Sequence, residues 1–376
     1  MNNNSCSNGT SFTDVIILAG GFGERLWPAS SPAFPKQFLS IQNGISFLQT
    51  SIQRALAVQP TGRILIITRE DIQNVVAEHC EKLMAVVSAE QKKKMQEDLY
   101  ILSEPCARHT CAPLVLACKL LHLLDANEHT LLVLTSDHII GPVETFVADC
   151  HKAAETARAG NFVCFAIPPT EPSTGYGYIK SGEALSTDKT VFQIAQFKEK
   201  PDLQTAQQYL ESGEYSWNSG MFAFTDTFFL QEISTYEPEI AKSFENFAIA
   251  AVPECSTIHS TKCIYGWEPM VKSYQTVKAI AVDNAIAERT KKAAAVKAAF
   301  TWDDVGSWDA FEKHYKGEND KVGSVQSKNN FVYSDIPVAL CGVEDLVVVI
   351  KDGKALVMKK GASSLMREVV KEMKKL

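Results

Sequence analysis

The chain has 376 residues, 45% of them hydrophobic and 22% charged, with a formal net charge of −7. This is the composition of an ordinary globular protein with material for about two domains. The negative charge is spread along the chain and gives no footprint for a nucleic-acid backbone, so a bound anion has to be met by local cations or by metal. No apolar run is long enough to span a bilayer. Residues 1–13 form an Asn/Ser-rich lead-in without the basic start and apolar core of a secretory signal, and a cytoplasmic location is expected. Ten cysteines are scattered with no C-x-x-C pair, which favours reduced, buried thiols over a zinc ribbon or redox site. No repeat of solenoid type is visible.

The first expected element is a strand at residues 15–18, a β-branched-rich run suited to a buried parallel strand. Through Ala19 it leads into Gly20, Gly21 and Gly23, and then to Arg25 and Lys36. Glycines let main-chain N–H groups approach an anion closely. With an Arg fork and a Lys charge, each charge-assisted hydrogen bond contributes ~1.5–3 kcal/mol, and several together suffice for a triphosphate. The loop is not the dinucleotide fingerprint, because Leu26 stands where G-x-G-x-x-G needs its last glycine, and no Gly-Lys-Ser/Thr follows to make a Walker loop.

Further along, a helix is expected at residues 45–58, a strand at 63–68, a helix at 71–96 and a strand at 99–102. A helix at 112–124, a strand at 130–135, a helix at 146–159 and a strand at 162–167 follow. This alternation predicts an α/β fold with a doubly wound, mostly parallel, Rossmann-like sheet whose ligands meet the carboxyl ends of the strands, where the glycine loop, Glu104 and Asp137 fall. From Thr174 the texture changes to antiparallel ribbons at 176–180, 191–198 and 220–225, with a helix at 203–211. These read as a sugar-facing insert rather than more parallel sheet. Residues 226–290 read as largely helical. Beyond about Asp320 short β-rich runs dominate, placing a catalytic domain at 14–315 and a small β-rich C-terminal domain with a terminal helix at 320–376.

Asp137, at the end of an apolar strand, and Asp304, in T-W-D-D-V-G-S-W, are the two acids assigned to metal. Mg²⁺ takes one or two protein carboxylates and completes its octahedron with waters and phosphate oxygens, which suits nucleotidyl transfer. Asp303 is adjacent and stays open as an alternative at this stage. Glu199-Lys200-Pro201 pairs an acceptor for sugar hydroxyls with a cation for phosphate, Asn218 sits in N-S-G beside a glycine, and glycines alternate with aromatics around Tyr176 and Tyr178.

Taken in order, L-A-G-G-F-G-E-R-L-W-P with P-K-Q-F-L, S-E-P-C-A-R-H-T, T-S-D-H, T-G-Y-G-Y-I, F-K-E-K-P, N-S-G-M-F, A-V-D-N-A-I-A-E-R and W-D-D-V-G-S-W resemble the motif series of mannose-1-phosphate guanylyltransferases. The resemblance covers roughly residues 14–311 and a shorter C-terminal part. It implies that GTP and mannose 1-phosphate give GDP-mannose and pyrophosphate with Mg²⁺ as cofactor, with a homodimer as one assembly and neither nucleic acid nor membrane as partner. It implies that Leu18, Ala19, Gly20, Gly21, Gly23, Glu104 and Ser136 bind the nucleotide, that Arg25, Lys36 and Asp137 act in catalysis, and that Asp137 and Asp304 hold the metal. Gly177, Glu199, Lys200, Asn218 and Asp283 then bind the sugar phosphate. The chain departs from the family pattern at Ser31, where a cation is usual, at His109 in place of Asn, at Cys111 in place of Ala, and at Thr135-Ser136 in place of Pro-Ala. These departures bear on nucleotide choice and rate. The cupin-like isomerase domain of longer members is not expected, as the sequence stops at Leu376. Rival readings keep the chemistry with another hexose 1-phosphate or nucleotide, or make the chain a non-catalytic sugar-nucleotide-binding regulator. Retention of Arg25, Lys36, Asp137 and Asp304 argues against the regulator, and the broken fingerprint argues against an NAD-dependent oxidoreductase.

Overall fold

The computed structural model describes residues 11–42, 44–316 and 321–375. They form two compact units, each built from separated stretches of chain. The first takes the chain up to Gly20, Ile52–Thr135 and Ile140–Trp302; the second takes Gly21–Ser51, Ser136–Ile139 and the chain from Asp303 onward.

The first unit is organised by an 11-stranded sheet. Its strands in chain order are β1 (Asp14–Leu18), β2 (Ile64–Arg69), β3 (Leu99–Glu104), β4 (Thr130–Thr135), β5 (Phe162–Ile167), β6 (Tyr178–Ala184), β7 (Val191–Lys198), β8 (Tyr215–Thr225), β9 (Ser256–Ile258), β10 (Thr261–Ile264) and β11 (Ala293–Lys297). Across the sheet they run β9-β10-β3-β2-β1-β4-β8-β5-β11-β7-β6. Parallel pairing joins β10, β3, β2, β1 and β4, as the apolar, both-faces-buried runs led one to expect. Beyond β4 the expectation of a mostly parallel, doubly wound sheet fails. β8 pairs antiparallel with β4 on one side and β5 on the other, and β7 runs antiparallel to both β11 and β6. The sheet is therefore mixed: the ribbons expected to be antiparallel are antiparallel, and they are members of the same sheet. An apolar run such as that of β5 marks burial on both faces and does not fix which way each neighbour runs.

Three local features have identifiable causes. The helix expected at 71–96 is two helices, Gln73–Met84 and Ala89–Asp98. Ser88 starts the second with a capping box, its hydroxyl accepting from the Gln91 amide while the Gln91 side chain accepts from Ser88 N–H. β11 is A-A-A-V-K, a run whose alanines favour helix locally. It becomes a strand because it fills the slot between β5 and β7. The hairpin of β9 and β10 lies in the stretch read as helical, and β10 extends the parallel edge beside β3.

In the second unit β12 (Val322–Val325) pairs parallel with β14 (Val338–Cys341), and β13 (Phe331–Ser334) with β15 (Leu346–Lys351), while β16 (Lys354–Lys359) returns antiparallel on β15. Val322 faces Val338, Lys328 faces Glu344 and Phe331 faces Val347. Each residue thus stacks on one a fixed step later, the mark of successive coils of a parallel β-helix. No sequence repeat announces the coils, because stacking constrains only inward side chains. A helix, Met366–Met373, closes the chain. Among the described residues no helix is long and apolar enough to cross a membrane.

Asp14, on β1, is a buried hub of the first unit: one carboxylate oxygen accepts the Arg63 N–H at 2.7 Å and the other lies 2.7 Å from His129 Nδ1. The Asp14 hydrogen bond is the main reason the His129 imidazole is held above its ordinary pKa, against the opposing effect of burial. A His raised in this way stabilises the fold fully below the unfolded imidazole range, and the gain fades as pH rises through the folded value. Asp14→Ala is expected to cost about 3–5 kcal/mol in urea unfolding at pH 6, with a smaller gap from the unsubstituted chain at pH 8.5.

Candidate active site

In the second unit the residues after Gly20 form a tight loop. Gly23 has φ +59°, and a methyl group there would lie 2.6 Å from the Lys36 backbone nitrogen, so only glycine allows the two segments to touch. The Ser30 hydroxyl donates to the Gly23 carbonyl at 2.6 Å and closes the loop. Lys36 is buried, and its ammonium lies 5.2 Å from the centre of the Phe47 ring. It donates to Asp137 Oδ2 at 2.9 Å and to the Asp304 backbone carbonyl. The Asp304 carboxylate accepts the Gly306 N–H at 3.1 Å. A methyl on Gly306 would come within 2.9 Å of Asp304 Oδ2 and 3.0 Å of Arg25 Nη1, so the guanidinium and the carboxylate crowd the same glycine. Arg25, Lys36, Asp137 and Asp304 thus come together from three distant stretches of sequence.

Burial works to raise the Asp137 pKa, but the charges of Lys36, His138 and Arg25 outweigh it and hold the carboxyl below its usual value. The adjacent acid left open by the sequence is used differently. Asp303 accepts the Val305 N–H at 2.7 Å and meets His314 Nε2 at 2.8 Å, which ties it to the helix Trp308–His314. Among the described residues no three His, Cys, Asp or Glu side chains form a ready-made metal cage. Asp137 and Asp304 offer two hard oxygen donors, which fits a cation that takes its remaining ligands from water and phosphate. Ser136, beside Asp137, is buried.

The start of the glycine stretch is held in the first unit. Leu18 ends β1, and Ala19 donates to Ile67 O at 2.8 Å and accepts from the Thr68 hydroxyl at 3.0 Å. Arg69 Nη1 donates to Gly20 O at 3.3 Å, and Glu104 Oε2 lies 3.4 Å from where a methyl on Gly20 would sit. Burial pushes the Glu104 carboxyl up to about 7, partly opposed by the Tyr274 hydroxyl, which donates to it at 2.7 Å, and by Arg69. Arg69 and Tyr274 were not singled out from the sequence. Arg69 carried a signal, since it directly follows the strand expected at 63–68, whereas Tyr274 lies far away in a helical stretch.

A second cluster in this unit gathers the residues expected around the sugar. Gly177 lies close under Glu199: a methyl there would come 2.5 Å from Glu199 Oε2 and would push that carboxylate aside. Lys200 donates to Glu199 at 2.6 Å, and the Asn218 amide donates to Asp283 at 2.9 Å. Burial, helped by the Glu199 charge, pushes the Asp283 carboxyl up to about 7 against Lys200 and Asn218. Tyr176 meets Trp217 and Trp302 edge to face, at 5.0 and 5.2 Å between ring centres, making an aromatic wall.

The sequence profile described as "Nucleotidyl transferase" matches residues 14–320, and that described as "MannoseP isomerase/GMP-like beta-helix domain" matches residues 320–373. A protein from Escherichia coli named mannose-1-phosphate guanylyltransferase is 32% identical over 372 residues, which is 95% of this chain and 75% of that one. Its namesake from strain K12 is 35% identical over 96% of this chain and 73% of its own length. The chain belongs to the mannose-1-phosphate guanylyltransferase family of nucleotidyl transferases. A crystal structure from Thermus thermophilus, titled mannose-1-phosphate geranyltransferase, superposes with a TM-score of 0.77 at 27% identity, covering 97% of this chain and 99% of that one.

The departures from the family pattern are structurally mild. His109 adopts φ +57°, in the left-handed region that Asn favours and His also visits. Cys111 is fully buried in the first turn of the helix Cys111–Leu124, its thiol pushed up to about 12, so it packs where the family has Ala. The Ser31 hydroxyl accepts the Phe34 N–H at 3.1 Å and serves a turn.

Gly23→Ala is expected to destabilise the chain by about 2–5 kcal/mol, from a left-handed alanine and a clash with backbone, measured by urea unfolding. For Asp283 the native state holds its proton more tightly than the unfolded chain, so this group's contribution to stability falls as pH rises from about 4 to about 7. Asp283→Asn is therefore expected to gain melting temperature relative to the unsubstituted chain at pH 8 and to show a smaller gain at pH 5.

Proposed function

We propose that the chain catalyses transfer of GMP from GTP to mannose 1-phosphate, giving GDP-mannose and pyrophosphate. The observation that carries this reading is the meeting of Lys36 with Asp137 and Asp304, next to Arg25, in a family whose members in Escherichia coli bear the guanylyltransferase name. The sugar phosphate oxygen attacks the α-phosphorus in line, the new P–O bond forms as the bond to the bridging oxygen breaks, and pyrophosphate leaves with the displaced charge. Arg25 and Lys36 face the phosphates and neutralise charge growing on the non-bridging and leaving oxygens. Asp137 and Asp304 would hold Mg²⁺, which when bound supplies Lewis-acid charge neutralisation at the phosphates. The backbone N–H groups of the glycine loop would hold the nucleotide's phosphates, and Glu104 and Ser136 are the other residues assigned to the nucleotide. Glu199, Lys200, Asn218, Asp283 and the bare backbone at Gly177 hold the sugar phosphate. No covalent enzyme intermediate is required; holding two reactants together and spreading charge accounts for the acceleration.

Two tests decide the reading. A product scan over four nucleoside triphosphates and several hexose 1-phosphates should give the highest kcat/KM for GTP with mannose 1-phosphate, and preference for another pair would reassign the substrate. Asp137→Asn is expected to lower Mg²⁺-dependent pyrophosphate release by about 10²–10³-fold, the scale of losing one preorganised electrostatic contact at a reacting centre. Turnover retained in that variant would sink the metal assignment.

A further inference from the structure

Part of the loop bearing Arg25 and Lys36 shares a core with the β-helix. Leu26, Ala29, Leu39 and Phe47 are buried in one cluster with Trp308 and Phe311, with Phe331, Val347 and Leu356 of the β-helix strands, and with Met366 of the closing helix. Leu26 follows Arg25 directly, and it is fully buried while Arg25 is exposed. A fixed Leu26 therefore restricts where the guanidinium can reach. Trp308 Nε1 donates to the Trp27 carbonyl at 3.0 Å, on the residue after Leu26. The turn that leads into the closing helix is tied down as well. Asp309 accepts the Gly361 N–H at 2.8 Å and the Ser363 hydroxyl at 2.5 Å, and Lys360 meets Glu312 at 2.6 Å.

We propose that the β-helix and its closing helix are a positioning element for the phosphate-binding cations, with Met366 a positioning residue that acts on Arg25 through Leu26. The role in GTP binding rests on the guanylyltransferase reading; the mechanical coupling does not. A close-packed core transmits small displacements, so a cavity at Met366 loosens the loop. A side chain in that cluster is thus tied to GTP affinity without touching a substrate.

The test uses the full chain with Met366→Ala, Met366→Leu and the milder Val370→Ala. Amide hydrogen exchange in residues 21–39 is expected to rise about tenfold in Met366→Ala and less in Val370→Ala, with the strands β1 to β4 unchanged and Met366→Leu restoring protection. In steady-state kinetics kcat/KM for GTP should fall about tenfold, with KM for mannose 1-phosphate within about twofold. Unchanged exchange in 21–39 while residues 366–373 themselves open would overturn the proposal, as would a rise shared equally with β13 and β15, which marks a general loss of stability. The exchange experiment needs no substrate. A chain that shows the loop response but fails to turn over GTP and mannose 1-phosphate would refute the functional reading alone.

Discussion

The ammonium of Lys36, held between the Asp137 carboxylate and the Asp304 carbonyl, is the constraint on which the rest of the candidate site depends. A buried lysine needs partners, because a charge removed from water without them costs several kcal/mol. Here the partners arrive from the end of a strand and from a turn far along the chain. Their meeting requires that Gly23 leave room for the Lys36 backbone and that Val305 and Gly306 turn tightly enough to aim a carbonyl inward. Charge then follows geometry: Lys36, His138 and Arg25 together hold the partly buried Asp137 carboxyl below its usual pKa, and a hard cation needs an ionised ligand.

The second electrostatic theme is the opposite one. Glu104 and Asp283 are both carried into the first unit far enough that burial pushes each carboxyl up to about 7. Each is stabilised by one specific donor, Tyr274 and Asn218 respectively. The chain thus carries both an acid held ionised by cations and acids that titrate near neutrality, and groups of unlike environment are the usual sign of divided roles.

Much of the site could be read from the order of its motifs. Gly20 to Arg25, Lys36, Asp137, Glu199, Lys200, Asn218 and Asp304 were singled out because each residue type suits phosphate, metal or sugar. The structure gathers them into the clusters described above. Asp303 and Asp304 are alike in composition, and only coordinates show their different partners: Asp303 meets His314 and the Val305 N–H, while Asp304 meets Lys36 through its carbonyl and the Gly306 N–H through its carboxylate. Arg69 and Tyr274 were missed because their work is to hold Gly20 and Glu104, and a supporting role leaves no motif.

By itself the sequence determined the parallel strands of the first half, the position of the glycine loop and the chemistry of its cations. These depend on local patterns: apolar runs, backbone freedom and charge. Tertiary structure alone decided that β8 reverses the sheet, that the alanine run of β11 is a strand, and that unrelated runs after residue 320 stack as coils. It also decided that Leu26, Ala29 and Leu39, on the loop carrying Arg25 and Lys36, pack with those coils. Each of these rests on a partner supplied from a distant part of the chain, and pairing of that kind is absent from any local window of sequence.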